Sequence, residues 1–114
     1  PKPPSAILSG LVGSEMCIRY RDYSAALKWY RLSAEQNHLG SQTNLGYTYF
    51  FGREGVPQNF VYAYMWWKIV YSKPGVKDNH NNMDKIKNKM TAEQITQAEA
   101  LAKQCLESNY KDCD

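Results

Sequence analysis

At 114 residues the chain has room for one domain. Its 43% hydrophobic and 22% charged residues suit a folded globular protein and exclude a disordered chain. A net charge of +3 is too weak to argue by itself for nucleic acid, and no apolar run approaches the roughly 18 residues of a membrane span.

Residues 1–21 fit none of the patterns that follow. Pro1-Lys2-Pro3-Pro4 cannot open a helix cleanly, because proline lacks a backbone donor and restricts the residue before it. The apolar stretch Ser5 to Gly13 is short, broken by glycine and without a signal-peptide layout. Met16-Cys17-Ile18-Arg19-Tyr20-Arg21 resembles the translated end of a transposase sequencing adaptor, with Tyr20 in place of an Asp. Residues 1–21 are therefore expected to be a scar foreign to the fold, and a genuine irregular N-terminal arm is the alternative. On the scar reading, any signal peptide and any earlier repeats would be lost upstream.

The next segment is helical. Asp22 suits an N-cap, since its carboxylate can accept from the free donors of a first turn. Ala26, Leu27, Tyr30 and Ala34 then recur at helical spacing with Trp29 beside them. Asn37 ends the helix, being tolerated in the left-handed conformation of a C-terminal turn. A second helix is expected from about Leu39 to Phe51, with Leu45 and Tyr49 on one face and the small residues Ser41 and Gly46 allowing close approach. Gly52 to Pro57 is a turn, punctuated by two glycines and a proline. Asn59 caps a third helix that turns Ala63, Trp66, Trp67 and Val70 inward and stops at Lys73-Pro74-Gly75.

The third helix repeats the first. Tyr23 and Phe60, Ala26 and Ala63, Trp29 and Trp66, and Arg31 and Lys68 are each 37 positions apart. A fixed period of this size marks stacked helical repeats, which bury their apolar faces only against neighbours. The particular residues go further. Leu45-Gly46, Tyr49 and Gly52, followed by Gly55-Val56-Pro57-Gln58-Asn59-Phe60, Ala63 and Trp66-Trp67, resemble the Sel-one-like repeat, a relative of the tetratricopeptide repeat. Asp22-Tyr23, Ala26, Trp29-Tyr30 and Ser33-Ala34-Glu35-Gln36 resemble the second half of the preceding repeat. Asn59 and Asn37 stand where that family has Asp and Gly, Ser33 and Ser41 replace alanines, and the glycine turn carries one extra residue. The resemblance implies an all-α fold over residues 22–114, with antiparallel helix pairs stacked as a right-handed superhelix. It also places Trp29, Tyr49, Ala63 and Trp66 at core packing positions.

In the C-terminal third, Met83, Ile86 and Met90 suggest a short helix within Asp78 to Met90. Thr91 and Gln94 form a capping box for a last helix, 91–108, whose inward stripe would be Ile95, Ala98, Ala102, Cys105 and Leu106. This segment is similar to the terminal helix that closes many bacterial Sel-one-like proteins. Cys105 and Cys113 are eight apart. A turn at Ser108-Asn109 would bring them together in a disulfide suited to an exported, periplasmic or secreted protein, and the alternative is one buried and one free thiol.

No catalytic constellation stands out. His38 and His80 fall between helices without other ligands at metal-binding spacing, so neither metal nor cofactor is expected. Asp78 to Asp84 has the outline of a calcium loop, but Met83 stands where the sharp turn needs glycine and Lys89 where the loop needs glutamate. Lys73, Lys77, Lys85, Lys87 and Lys89 lack interleaved aromatics and are diluted by Asp78 and Asp84, which speaks for a solvated face rather than a nucleic-acid partner. Thr43, Tyr47, Phe50 and Phe51 lie on the far side of their helix, which in the resembling family lines a concave groove. The expectation is a non-enzymatic module that binds a protein or peptide there, either monomeric or weakly associating through its N-terminal face. The alternative is an exported cell-wall factor or hydrolase acting on peptidoglycan or β-lactams, as proposed for cysteine-rich relatives. Against it, residues 22–70 contain no cysteine.

Overall fold

The computed structural model describes residues 23–113, so the N-terminal stretch and the Asp22 cap lie outside the described residues. Five helices follow one another: α1 (Tyr23–Ala34), α2 (Leu39–Phe51), α3 (Phe60–Tyr71), α4 (Asn82–Lys87) and α5 (Ala92–Glu107). The only strand-like pairing among these residues is the isolated bridge Arg53–Val56 in the turn between α2 and α3.

Local chemistry sets the boundaries. α1 closes in a Schellman turn: Asn37 adopts φ 66°, its N–H donates to Ala34 O, and His38 N–H donates back to Ser33 O. The His38 Nδ1 then accepts from Ser41 N and caps α2. Asn59 Oδ1 accepts from Tyr62 N at 3.1 Å and caps α3. Thr91 and Gln94 form their reciprocal capping box at α5. The helix expected within Asp78 to Met90 shrinks to the six residues of α4. Asn81 turns left-handed at φ 55°, and the Asp78 carboxylate accepts from both Asn82 N and Met83 N. Asp78 thus sits ahead of α4 as a cap.

The centre of the fold is α3. Ala63, Tyr64, Met65, Trp66, Trp67, Ile69 and Val70 are all buried, leaving little of the helix to water. Burial all round requires neighbours on several sides. α2 packs on one side and α5 on another, while α4 covers part of the remainder. At the α2–α3 crossing the indole of Trp67 lies directly on Gly46: a Cβ there would stand 2.0 Å from Trp67 Nε1. The same Nε1 donates to Thr43 O at 3.3 Å.

Tyr49, Ala63 and Trp66 are buried as the resemblance implied. Trp29 is only half-buried, because α1 packs chiefly against α2 and no described helix covers its other side. Leu106 is also a correction: it is 46% exposed. The stripe runs through Ala98, Ala102 and Cys105, and Leu101 rather than Leu106 packs against the core beside it.

Candidate functional site

The site grows out of the last two turns of α2. Helical spacing puts Tyr47 and Phe51 on one side, and Phe50 turns toward α3. Tyr47 meets Trp67 edge-on with ring centroids 5.1 Å apart, and Phe50 meets the same indole at 5.3 Å. Phe50 and Phe51 are perpendicular at 4.9 Å, and Tyr47 lies parallel to Phe51 at 6.3 Å. Such edge-to-face contacts suit the ring quadrupoles and hold the side chains in place. Trp67 is nearly all buried and forms the floor, while Phe51 is 56% exposed at the rim, with the Arg53 guanidinium 5.5 Å from its ring centroid.

The facing wall comes from the α3–α4 loop and α4. His80, Asn82 and Lys85 close a cleft of about 400 Å³ against Tyr47, Phe50, Phe51 and Trp67. Asn82 is the fixed point of this wall. Its buried amide donates to the Tyr47 hydroxyl at 2.8 Å and to the Tyr71 hydroxyl at 2.9 Å. Burial, more than any other influence, pushes the Tyr71 phenol above its ordinary pKa, so it stays neutral. The Tyr47 oxygen accepts from Asn82, and no described residue takes its proton. An aromatic floor thus faces a polar wall with no carboxylate and no thiol in its lining. That arrangement can hold an apolar side chain and hydrogen-bond its neighbour. It supplies no nucleophile held by a base.

Of the four groove residues expected from sequence, Tyr47, Phe50 and Phe51 converge on this cleft. Thr43 does not line it. It lies one turn earlier, its hydroxyl donates to Leu39 O, and its carbonyl holds Trp67. Sequence reasoning missed the opposite wall. Trp67 was expected inward, where its ring does lie, yet one edge still floors the cleft. His80 and Lys85 were expected as a polar loop and a solvated face. No periodicity marks the α3–α4 loop, so nothing in the sequence paired Asn82 with Tyr47.

A second polar cluster lies near the chain's C-terminus. α5 ends in another Schellman turn, with Asn109 at φ 56° and Tyr110 N–H donating to Cys105 O. The turn reverses the chain, and Cys105 and Cys113 are joined by a disulfide. Tyr110 is thereby laid against the α1–α2 turn, where its hydroxyl donates to Asn37 Oδ1 at 2.9 Å. Lys73 Nζ donates to the same oxygen at 2.6 Å and to Gln42 Oε1 at 2.5 Å. Partial burial pulls the Lys73 pKa down. Each group here already has a partner, so the cluster ties elements together rather than offering a site.

The Sel1 repeat model matches residues 12–38 and 40–69, together half of the chain. The chain belongs to the Sel1 repeat family. The division between the two matches falls at the start of α2, and the second match covers nearly all of α2 and α3. α1 is accordingly the second helix of the earlier repeat, whose match begins at residue 12 inside the stretch read as scar or arm. No curated protein and no solved structure matches the chain. Sel1 repeats are generally protein-interaction modules and typically non-enzymatic. No helix among the described residues is long and apolar enough to cross a membrane.

Proposed function

We propose that this Sel1 repeat chain is a non-enzymatic interaction module that holds a segment of a partner protein in the cleft between the end of α2 and α4. One observation carries the reading. Three aromatic residues of α2 converge on an open space of about 400 Å³, and the buried Asn82 amide fixes the opposing wall. That volume lies within the range of ligand sites. Aromatics clustered around such a space are typical of interface hot spots, where truncating one residue commonly costs 2 kcal/mol or more. The disulfide Cys105–Cys113 supports an oxidising compartment, so we place the module outside the cytosol.

Peptide selection on the folded protein, followed by titration with the selected peptides, tests the cleft. Tyr47→Ala should weaken binding by roughly thirtyfold, the equivalent of about 2 kcal/mol, with the helical circular-dichroism signal retained. Equal affinity for wild type and variant, both folded, would move the binding surface elsewhere.

A further inference from the structure

The cleft is not electrically neutral, and its polarity narrows what fits it. Lys85 stands in the wall opposite the aromatic floor. Its ammonium has no ionic or hydrogen-bonding partner among the described residues. The Tyr47 hydroxyl offers a proton that nothing described accepts, and His80 sits at the rim. Beyond Phe51 the Arg53 guanidinium lies 5.5 Å from that ring's centroid. The Asp78 carboxylate at the foot of this wall is already committed: both of its oxygens accept from the backbone at the start of α4. No lining residue is acidic. A cation and a phenolic donor thus border one small apolar space whose lining holds no acid.

We infer that the cleft recognises an apolar side chain flanked by a side-chain carboxylate, that is, a hydrophobic residue beside Asp or Glu in the partner segment. This rests on the docking reading above and adds the chemistry of the occupant. The apolar side chain lies on Phe50, Phe51 and the edge of Trp67. The neighbouring carboxylate accepts from Tyr47 Oη–H and from Lys85 Nζ, two donors for its two oxygens. Charge-assisted hydrogen bonds of this kind are roughly twice as strong as neutral ones. A basic segment would bring like charge against Lys85. A nucleic acid would need a longer track of cations than this one wall provides.

The probes are three blocked peptides, acetylated and amidated, sharing a Leu-Phe centre and flanked by Asp and Glu, by Ser and Gly, or by Lys. Calorimetric titration of the full chain should rank them acidic, neutral, basic, with about tenfold between the first two. Added salt should erode that gap. Lys85→Glu changes an exposed residue and should reverse the ranking. Tyr47→Phe keeps the ring and should narrow the gap without abolishing binding of the neutral peptide. If all three peptides bind equally and Tyr47→Ala still removes them, the docking reading stands and the charge preference is overturned. Tightest binding of the Lys-flanked peptide overturns it as well. If none binds, the docking reading falls and takes this inference with it.

Discussion

The molecule has two regions held by different means. From α1 to α3 the chain follows a 37-residue period, and packing does the work: Leu45, Tyr49, Ala63, Trp66 and Trp67 interlock at helix crossings. From Val76 onward there is no repeat, and individual polar and covalent ties recur. Asp78 caps α4, Asn82 joins Tyr47 and Tyr71, Tyr110 reaches Asn37, and Cys105 holds Cys113. A repeat copies a packing solution, so its energetics are spread over many contacts. A region outside the repeat has no template and depends on single residues. The cleft lies where the two meet, taking its floor from the first and its wall from the second.

The largest test strikes the repeat. Trp66→Ala empties a volume next to buried Ala63 and Met65 and should cost about 3–5 kcal/mol. For a domain of this size that is a large share of total stability, and thermal melting should lose its cooperative transition or fall steeply. A shift of only a few degrees would mean that packing is not what holds this half. The disulfide is the matching test of the other half. Its short loop is worth about 2–3 kcal/mol in the chain-entropy model. Oxidised protein should show one reactive thiol of three under denaturing, non-reducing conditions. A dithiol reductant should lower the melting temperature. Three reactive thiols in protein from an oxidising compartment would remove this tie and the support for export.

The same division explains what could be read from the sequence. The three helices of the repeat follow from residue periodicity, and their boundaries from turn chemistry at Asn37 and Gly52 and from the Asn59 cap, whereas the His38 cap of α2 was not legible. Burial of Ala63 follows too, because it occupies a repeating position, and burial of Tyr49 follows from the family resemblance. Trp29 escaped because its burial depends on what covers α1 rather than on its own register. The α2 side of the cleft was legible in Tyr47, Phe50 and Phe51. The α4 side was not. Whether the 82 position meets Tyr47 depends on the path of the loop 72–81, which no local pattern encodes. The turn at Ser108-Asn109 was legible, and Asn109 takes the left-handed conformation there, whereas Asn81 does the same ahead of α4 inside a loop read only as polar.

A smaller effect should separate neighbours on α2. Gly46→Ala places a methyl against the Trp67 indole, which is packed against the core and held by Thr43 O. The indole must shift, at a cost of about 1–3 kcal/mol from overpacking. Tyr47→Ala, one residue on, should leave the melting temperature far less changed. The contrast is read from two denaturation curves. Equal losses at 46 and 47 would mean that the cleft face of α2 is as structural as its core face.

The smallest expected effect concerns the contact that spans the two regions. Tyr64, fully buried in α3, donates its phenol proton to Glu99 of α5 at 3.0 Å. Burial first, and then the Glu99 hydrogen bond and charge, push its pKa up to about 12. The folded state therefore keeps this proton more tightly than the unfolded chain does. Its contribution is fully present below pH 10 and is lost as pH rises from about 10 toward 12. Tyr64→Phe removes the hydroxyl and leaves Glu99 exposed to water, so at neutral pH it should cost only about 0.5–1.5 kcal/mol. Chemical denaturation at a series of pH values separates this link from the other tyrosines. Wild type should lose stability more steeply than Tyr64→Phe above pH 10, and the two curves should draw together. Parallel curves through that range would show that the α3–α5 junction is held by packing alone, extending the logic of the repeat into the C-terminal region.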